Sequence, residues 1–287
     1  MAQGRHLRHV VPNSRFSTAH LSEVENQQDN SSASNTTAGV RIFGGSEAPE
    51  NSRPYLAAIY REGGGGFMCG GSLIAPEWIL TAAHCADDAF TVYMGLQNRD
   101  TDPNFEKFGI VRKIKHPYNN PDTLDYDFAL LNIDGSSAYS PVHLNSDPNM
   151  PTENQWLSAV GWGLTESNET SIVPLEANEQ DLSNDACNTL GELILPVTDS
   201  MMCAWASGIT ECHGDSGGPL VDQGQDLSPD EHIQYGVVSW GVDPCAVSTP
   251  VSKIVCFGYA PLRSLQPMST SILLISNMPH VLVHIVF

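Results

Sequence analysis

The sequence predicts an all-β protein, and three observations lead to this class. The chain of 287 residues contains 24 glycines and 19 prolines, which is typical of a fold with many turns. From position 41 onward the apolar residues form short runs of strand length, such as 55–60, 72–74, 128–131 and 235–238. No amphipathic helical pattern of any length competes with these runs. A β-barrel or a β-sandwich follows, and closure into a barrel is favoured because it removes exposed strand edges.

Composition and charge exclude several classes of function. The formal net charge of −20 argues against a nucleic-acid partner, because phosphate contacts need clustered Lys and Arg. The seven cysteines are spread along the chain without the paired spacing of a zinc site, so we expect no metal and no cofactor. Cysteines spread in this way predict disulfides formed in an oxidising compartment. Sequons at Asn30, Asn35 and Asn168 agree with a secreted glycoprotein, although no secretory signal is visible in residues 1–40.

The two ends of the chain differ in character from its middle. Residues 16–40 are rich in Ser, Asn, Thr and Gln, and hold too little apolar surface to offset the entropy of ordering. We therefore expect a flexible pro-segment over 1–41, a globular domain over 42–263 and an atypical apolar tail over 264–287. The apolar runs of that tail are short for a membrane span, so a membrane partner is not expected.

Ser216 is the candidate nucleophile, and it lies within the sequence GDSGGP at 214–219. Acyl transfer by serine needs an exposed hydroxyl, a base, and donors aimed at the developing oxyanion. Glycines on both sides let the backbone approach a substrate and direct its N–H groups outward. The expected oxyanion donors are the N–H groups of Gly214 and Ser216. The alternative is a glycine-rich turn that only ends a strand.

His84 and Asp127 are the candidate base and its supporting carboxylate. His84 lies in TAAHC, where an apolar lead-in and the adjacent Cys85 hold the backbone in place. Asp127 opens the apolar run DFALL, which suggests a partly buried carboxylate that fixes the imidazole tautomer and stabilises the imidazolium. Asp125 is the alternative carboxylate, but it falls outside the Asp-X-Ala-Leu-Leu frame.

TAAHC, DFALL and GDSGGP, in the order His, Asp, Ser, resemble the trypsin/chymotrypsin family of serine peptidases. The resemblance extends from Ile42 to about Pro250. It implies two six-stranded antiparallel β-barrels with the active site in the cleft between them. It also implies a monomeric endopeptidase that hydrolyses protein or peptide substrates through an acyl-enzyme intermediate, and that protein inhibitors could bind.

The resemblance further implies roles for other residues. The segment of Ser239, Trp240 and Gly241 resembles the strand that pairs with the substrate backbone, and Ser239 also supports the triad carboxylate. The disulfides that the family pattern implies, with Cys256 left free, are Cys69–Cys85, Cys187–Cys203 and Cys212–Cys245.

An activation junction is implied at Arg41, followed by Ile42-Phe43-Gly44-Gly45. Cleavage after Arg41 by a trypsin-like protease would free the amino group of Ile42. By resemblance, that cation inserts beside Asp215, and the buried ion pair orders the oxyanion hole and the substrate pocket.

The chain departs from the family pattern at two places. Thr210 stands at the base of the primary pocket where trypsins have Asp, and Glu211 offers a carboxylate one position later, so specificity stays open. After Pro250 the chain runs directly into Val251-Ser252-Lys253, as though part of an interior strand that walls the pocket were lost. A non-catalytic homologue that acts as a binding protein is therefore the alternative function.

Overall fold

A computed structural model describes residues 45–64, 66–165, 167–190, 193, 195–206, 212–222, 227–241 and, for the backbone, 253–258. All of these residues belong to one compact unit, Val40–Phe287. The predicted pro-segment over 1–41 and the apolar tail over 264–287 lie outside the described residues. In the part that is described, no helix is both long and apolar enough to span a membrane.

Six strands of the first half close into an antiparallel barrel, which we call barrel one. Its strands are β2 (Leu56–Arg61), β3 (Phe67–Ala75), β4 (Trp78–Thr81), β5 (Ala89–Met94), β6 (Glu106–Lys115) and β7 (Ala129–Ile133). They pair in the order β2-β3-β4-β7-β6-β5, and β5 returns to β2. The apolar runs predicted at 55–60, 72–74 and 128–131 thus become strands whose inward side chains form the core of this barrel.

The second half forms a sheet of eight strands, which we call barrel two. Its ring consists of β9 (Trp156–Gly161), β10 (Leu175–Leu182), β11 (Met201–Ala206), β12 (Pro219–Asp222), β13 (Ile233–Gly241) and β14 (Lys253–Gly258). The order is β10-β11-β14-β13-β12-β9, and the β9–β10 pairing closes it. The short strands β1 (Ser46–Glu47) and β8 (His143–Leu144) attach to β10 and β13. The prediction of an all-β, two-barrel fold is confirmed.

The two α-helices among the described residues are short, and each contains a cysteine. Helix α1 (Ala83–Ala86) carries His84 and follows β4, while α2 (Asn184–Leu190) precedes β11. The buried core of barrel one also takes in Val221 and Val237 of barrel two, so apolar packing continues across the boundary between the barrels.

The expectation of a lost interior strand after Pro250 is wrong. Strand β14 pairs with β11 on one side and with β13 on the other, so the ladder of barrel two is complete. The segment KIVCFG, which follows closely after this junction, forms β14 and occupies the position between β11 and β13. The connection at 242–252, which includes the junction after Pro250, lies outside the described residues.

Candidate active site

The loop of Ser216 lies against barrel one although it belongs to barrel two. The N–H of Gly70 in β3 donates to the carbonyl oxygen of Ser216 at 2.8 Å. The Thr81 hydroxyl donates to the carbonyl oxygen of Gly70 at 2.8 Å. A Cβ atom on Gly217, whose φ is 81°, would lie 2.1 Å from the Thr81 hydroxyl oxygen. Glycine at 217 therefore allows the loop to approach β3 and β4 directly.

The amides of this loop divide into two groups. The N–H groups of Asp215, Gly217 and Gly218 donate to carbonyl oxygens of the protein at 2.8–3.0 Å. By contrast, no described residue accepts a hydrogen bond from the N–H of Gly214 or of Ser216. Gly214 has a φ of 102°, a conformation that favours glycine. Among the described residues, these two amides therefore have no acceptor within the protein.

Three donors converge on the carboxylate of Asp127, which is fully buried. The backbone N–H of His84 donates to Oδ1 at 2.9 Å, and the ring nitrogen Nδ1 of His84 lies 2.7 Å from Oδ2. The Ser239 hydroxyl donates to the same Oδ2 at 2.6 Å. The His84 side chain remains 35% exposed, so its ring extends from a buried carboxylate to the surface.

The hydrogen bonds decide the charge of Asp127. Burial acts to raise its pKa, but hydrogen bonds from His84 and Ser239 and the attraction to His84 outweigh burial, so the pKa is lowered. An ionised carboxylate holds the proton of the imidazole on Nδ1 and leaves Nε2 free to act as a base.

The position of His84 is tied to that of the Ser216 loop through a disulfide. Cys69 and Cys85 are bonded, with Cα atoms 6.3 Å apart. Cys69 precedes Gly70, the residue that holds the carbonyl of Ser216, and Cys85 follows His84. One covalent bridge therefore links the backbone of the histidine to the strand that supports the serine loop.

Asp215 is fully buried, and both of its carboxylate oxygens accept backbone hydrogen bonds. Gly163 N–H donates to Oδ1 at 2.8 Å and Cys212 N–H donates to Oδ2 at 2.9 Å. A Cβ atom on Gly161 or Gly163 would lie within 2.3 Å of this carboxylate, which explains the two glycines of the sequence GWG. Burial raises the pKa of Asp215 to about 6, although the two N–H donors act to lower it. Among the described residues, no positively charged side chain pairs with this buried carboxylate.

The other predicted residues divide between described and undescribed parts of the chain. The structure contains the disulfides Cys69–Cys85 and Cys187–Cys203. Cys212 is disulfide-bonded, but its predicted partner Cys245 lies outside the described residues, so this pairing stays a prediction. The backbone of Cys256 lies opposite Cys203 in the β11–β14 ladder.

The predicted substrate strand belongs to β13, where Ser239 and Trp240 are buried and Gly241 ends the strand. Thr210, Glu211, Arg41 and Ile42 lie outside the described residues. The assignments of specificity and activation to these four residues stay predictions.

Asp125, the alternative carboxylate, is not part of the array at His84. Its side chain accepts hydrogen bonds from the hydroxyls of Thr198, Ser200 and Thr123. Sequence reasoning did not find Thr198 and Ser200, because residues 73 and 75 positions away carry no local signal of this contact. It also missed Thr81, although its position in TAAHC was a signal that could have found it.

Comparison with known proteins agrees with this geometry. A family model described as trypsin matches residues 42–257. The thrombin-like enzyme gyroxin B1.4 of Crotalus durissus terrificus is 34% identical over 216 residues, which are 71% of this chain and 79% of that protein. The snake venom serine protease salmobin of Gloydius halys is 36% identical over 217 residues, which are 71% of this chain and 78% of that protein. The suppressor of tumorigenicity 14 protein homolog of Bos taurus is 35% identical over 235 residues, which cover 73% of this chain but 26% of that longer protein.

Proposed function

The chain belongs to the trypsin family of serine peptidases, and from this premise we propose that it is an active serine endopeptidase made as a zymogen. Its substrates are proteins or peptides. Ser216 is the nucleophile, His84 the general base, and Asp127 the carboxylate that orients the imidazole. The N–H groups of Gly214 and Ser216 stabilise the oxyanion.

The observation that carries this proposal is the array at the boundary of the barrels. Asp127 accepts hydrogen bonds from His84 of barrel one and from Ser239 of barrel two. Ser239 lies on β13, the strand whose Val238 carbonyl accepts a hydrogen bond from Gly217 of the Ser216 loop. In the reaction, His84 Nε2 takes the proton of the Ser216 hydroxyl while Oγ forms a bond to the scissile carbonyl carbon. The imidazolium then donates this proton to the leaving amine as the carbon–nitrogen bond breaks, which leaves the acyl group on Ser216. Water, deprotonated by His84, then attacks the acyl carbon, and Ser216 Oγ takes the proton back as it leaves.

Activation is proposed to occur by cleavage after Arg41. The buried Asp215 supports this step, because its hydrogen-bond donors among the described residues are backbone N–H groups, and such a carboxylate is a natural partner for a new ammonium group. The disulfides support secretion into an oxidising space. The binding-protein alternative was argued from an interior strand that walls the pocket and is partly lost; the pairing of β14 with both β11 and β13 favours the peptidase over that alternative.

A fluorophosphonate probe tests the proposed function. The protein is cleaved with immobilised trypsin, the new terminus at Ile42 is verified by N-terminal sequencing, and labelling is followed by mass spectrometry. We expect one phosphonyl group on Ser216. The Ser216→Ala variant, treated identically, should not be labelled, and His84→Ala should label several orders of magnitude more slowly. Absence of labelling in the cleaved wild type would favour the binding-protein alternative.

A further inference from the structure

Asp125 joins the two barrels through hydroxyl groups. Thr198 Oγ1 and Ser200 Oγ both donate to Asp125 Oδ1, at 2.5 and 2.9 Å. Thr123, on the same loop as Asp125, donates to Oδ2 at 3.0 Å. Ser200 Oγ in turn accepts from the backbone N–H of Tyr126 at 3.1 Å. Thr198 and Ser200 stand just before β11, so these bonds connect the loop before β7 in barrel one to barrel two.

The turn of barrel two that holds Thr198 and Ser200 is itself anchored. The side-chain amide of Asn184 in α2 donates to the carbonyl oxygens of Thr198 and Met201, each at 2.9 Å. The Cys187–Cys203 disulfide connects α2 to β11, the strand that follows this turn. The hydroxyls therefore belong to a part of the molecule with little freedom to follow a displaced partner.

The loop of barrel one, by contrast, has a strained backbone around Asp125. Leu124 has a φ of 58° and Tyr126 a φ of 50°, and neither is a glycine. A positive φ is unfavourable for residues such as Leu and Tyr, which keep this left-handed conformation only where the surrounding structure imposes it. Asp127 follows Tyr126 directly, so relaxation of either residue would move the carboxylate that binds His84.

The charge of Asp125 matches its partners. Burial acts to raise the pKa of Asp125, but the hydrogen bonds from Thr198, Ser200 and Thr123 outweigh it and lower the pKa. An ionised carboxylate only accepts hydrogen bonds, so all three hydroxyls can donate to it at once.

We propose that Asp125 is a positioning residue for the peptidase reaction, because its carboxylate fastens the Asp127 loop to Thr198 and Ser200 and thereby sets Asp127 against His84. The inference rests on the proposed function, since it assigns a role in the same reaction. A displacement of about 1 Å in such a site lowers the rate by about 100-fold.

Two substitutions at Asp125 separate hydrogen bonding from charge. Asp125→Ala removes the three hydroxyl hydrogen bonds to this carboxylate, which we call the clamp, and leaves the bond from the Tyr126 N–H to Ser200 Oγ. Asp125→Asn keeps Oδ1, the oxygen that receives both Thr198 and Ser200, and removes the charge. Asp122→Ala is the matched control, because Asp122 is an exposed carboxylate of the same loop. Each variant is prepared as the full chain cleaved after Arg41.

Two readouts are compared: kcat and KM for a small peptide substrate, and the NMR resonance of the proton between His84 Nδ1 and Asp127 Oδ2. For the NMR measurement the variants carry Ser216→Ala, which prevents self-digestion. We expect Asp125→Ala to lower kcat about 10- to 100-fold with little change in KM, and to broaden or shift the resonance. Asp125→Asn and Asp122→Ala should stay within about twofold of the wild type.

Ser200→Ala tests the clamp from barrel two. It should reproduce part of the loss in kcat. In an Asp125→Ala background it should cost less than it does alone, because the bond between Ser200 and Asp125 is already lost and only the bond from the Tyr126 N–H remains to be broken. If Asp125→Ala does not fold, Ser200→Ala alone decides.

The proposal would be overturned if Asp125→Ala kept the wild-type kcat and an unchanged resonance. Where Asp125→Ala does not fold, the same result in Ser200→Ala would overturn it. Equal impairment of Asp125→Asn and Asp125→Ala would do so too, since charge and not hydrogen bonding would then matter. A cleaved wild type without turnover would contradict the proposed function instead, and the resonance would still test the clamp.

Discussion

The backbone N–H of Gly70 donates a 2.8 Å hydrogen bond to the carbonyl oxygen of Ser216, so the two barrels meet at the proposed nucleophile. A Cβ atom at position 70 would lie 3.0 Å from the Cα atom of Gly218 and 3.1 Å from its nitrogen. The atoms in the way belong to the backbone of the loop, which cannot rotate aside as a side chain would.

Gly70→Ala should therefore displace the Ser216 loop. We expect a loss of about 1–3 kcal/mol in the free energy of unfolding, as for other overpacked sites, together with slower fluorophosphonate labelling. Gly66→Ala is the matched control in the same hairpin, because a Cβ there meets nothing within 4 Å. The control, whose φ is +75°, should lose some stability and label at the wild-type rate. Equal labelling rates in both variants would contradict the prediction.

Activation should depend on Arg41 and Asp215 together. Arg41→Gln should remain inactive after treatment with trypsin, while Arg41→Lys should be cleaved and become active. Asp215→Asn should be nearly inactive even when it is cleaved correctly, because removal of one partner of a buried ion pair costs about 3–5 kcal/mol. N-terminal sequencing and peptide turnover are measured on the same samples. Full activity of uncleaved Arg41→Gln would show that activation does not use this junction.

Asp181 on β10 should make stability depend on pH. Burial, and after it the negative charge of Glu153, raises the pKa of Asp181 to about 6. The folded state then binds the proton more tightly than the unfolded chain, so the associated stability is present below about pH 4 and is lost as the pH rises through about 6.

Asp181→Asn should consequently melt at a higher temperature than its parent near pH 7.5, and the two should converge near pH 3.5. Thermal unfolding is measured in a Ser216→Ala background to prevent self-digestion. Asp122→Asn, at an exposed position, is the control and should change the melting temperature little at either pH. A gain in Asp181→Asn that is the same at both pH values would contradict the assignment.

Strand β14 should be required for barrel two, since it pairs on both edges. Val255→Pro removes a backbone N–H from this central strand, where proline does not fit. Each buried backbone group left unpaired costs about 1–3 kcal/mol, so we expect a lower melting temperature and little soluble protein. Val255→Ala keeps the N–H and serves as the comparison. Equal stability of the two variants would mean that the ladder of β14 does not support the barrel.

Sequence reasoning found the residues that carry their own local pattern. GDSGGP, TAAHC and DFALL each combine a reactive side chain with the small or apolar neighbours that its position needs, and the structure brings His84 and Asp127 into contact. Ser239 could also be expected, because the strand that contains it resembles the family pattern.

What the sequence did not predict depends on pairings between distant residues. The hydrogen bond between Ser200 and Asp125 joins two single residues that are far apart in the sequence, and neither belongs to a motif or a periodic pattern that would predict the contact. The family pattern after Pro250 does not predict β14, because the pairing of this strand with both β11 and β13 depends on residues that are distant in the sequence.

The buried carboxylate of Asp127 has a consequence for the newly made chain. Its donors come from α1, which follows the strands of barrel one, and from β13, which is among the last strands to leave the ribosome. Until β13 is in place, Asp127 lacks the Ser239 hydroxyl and the Ser216 loop has no partner in Val238. The active-site array therefore cannot form before β13 has been synthesised, so we expect the chain to have no peptidase activity until its two halves have assembled.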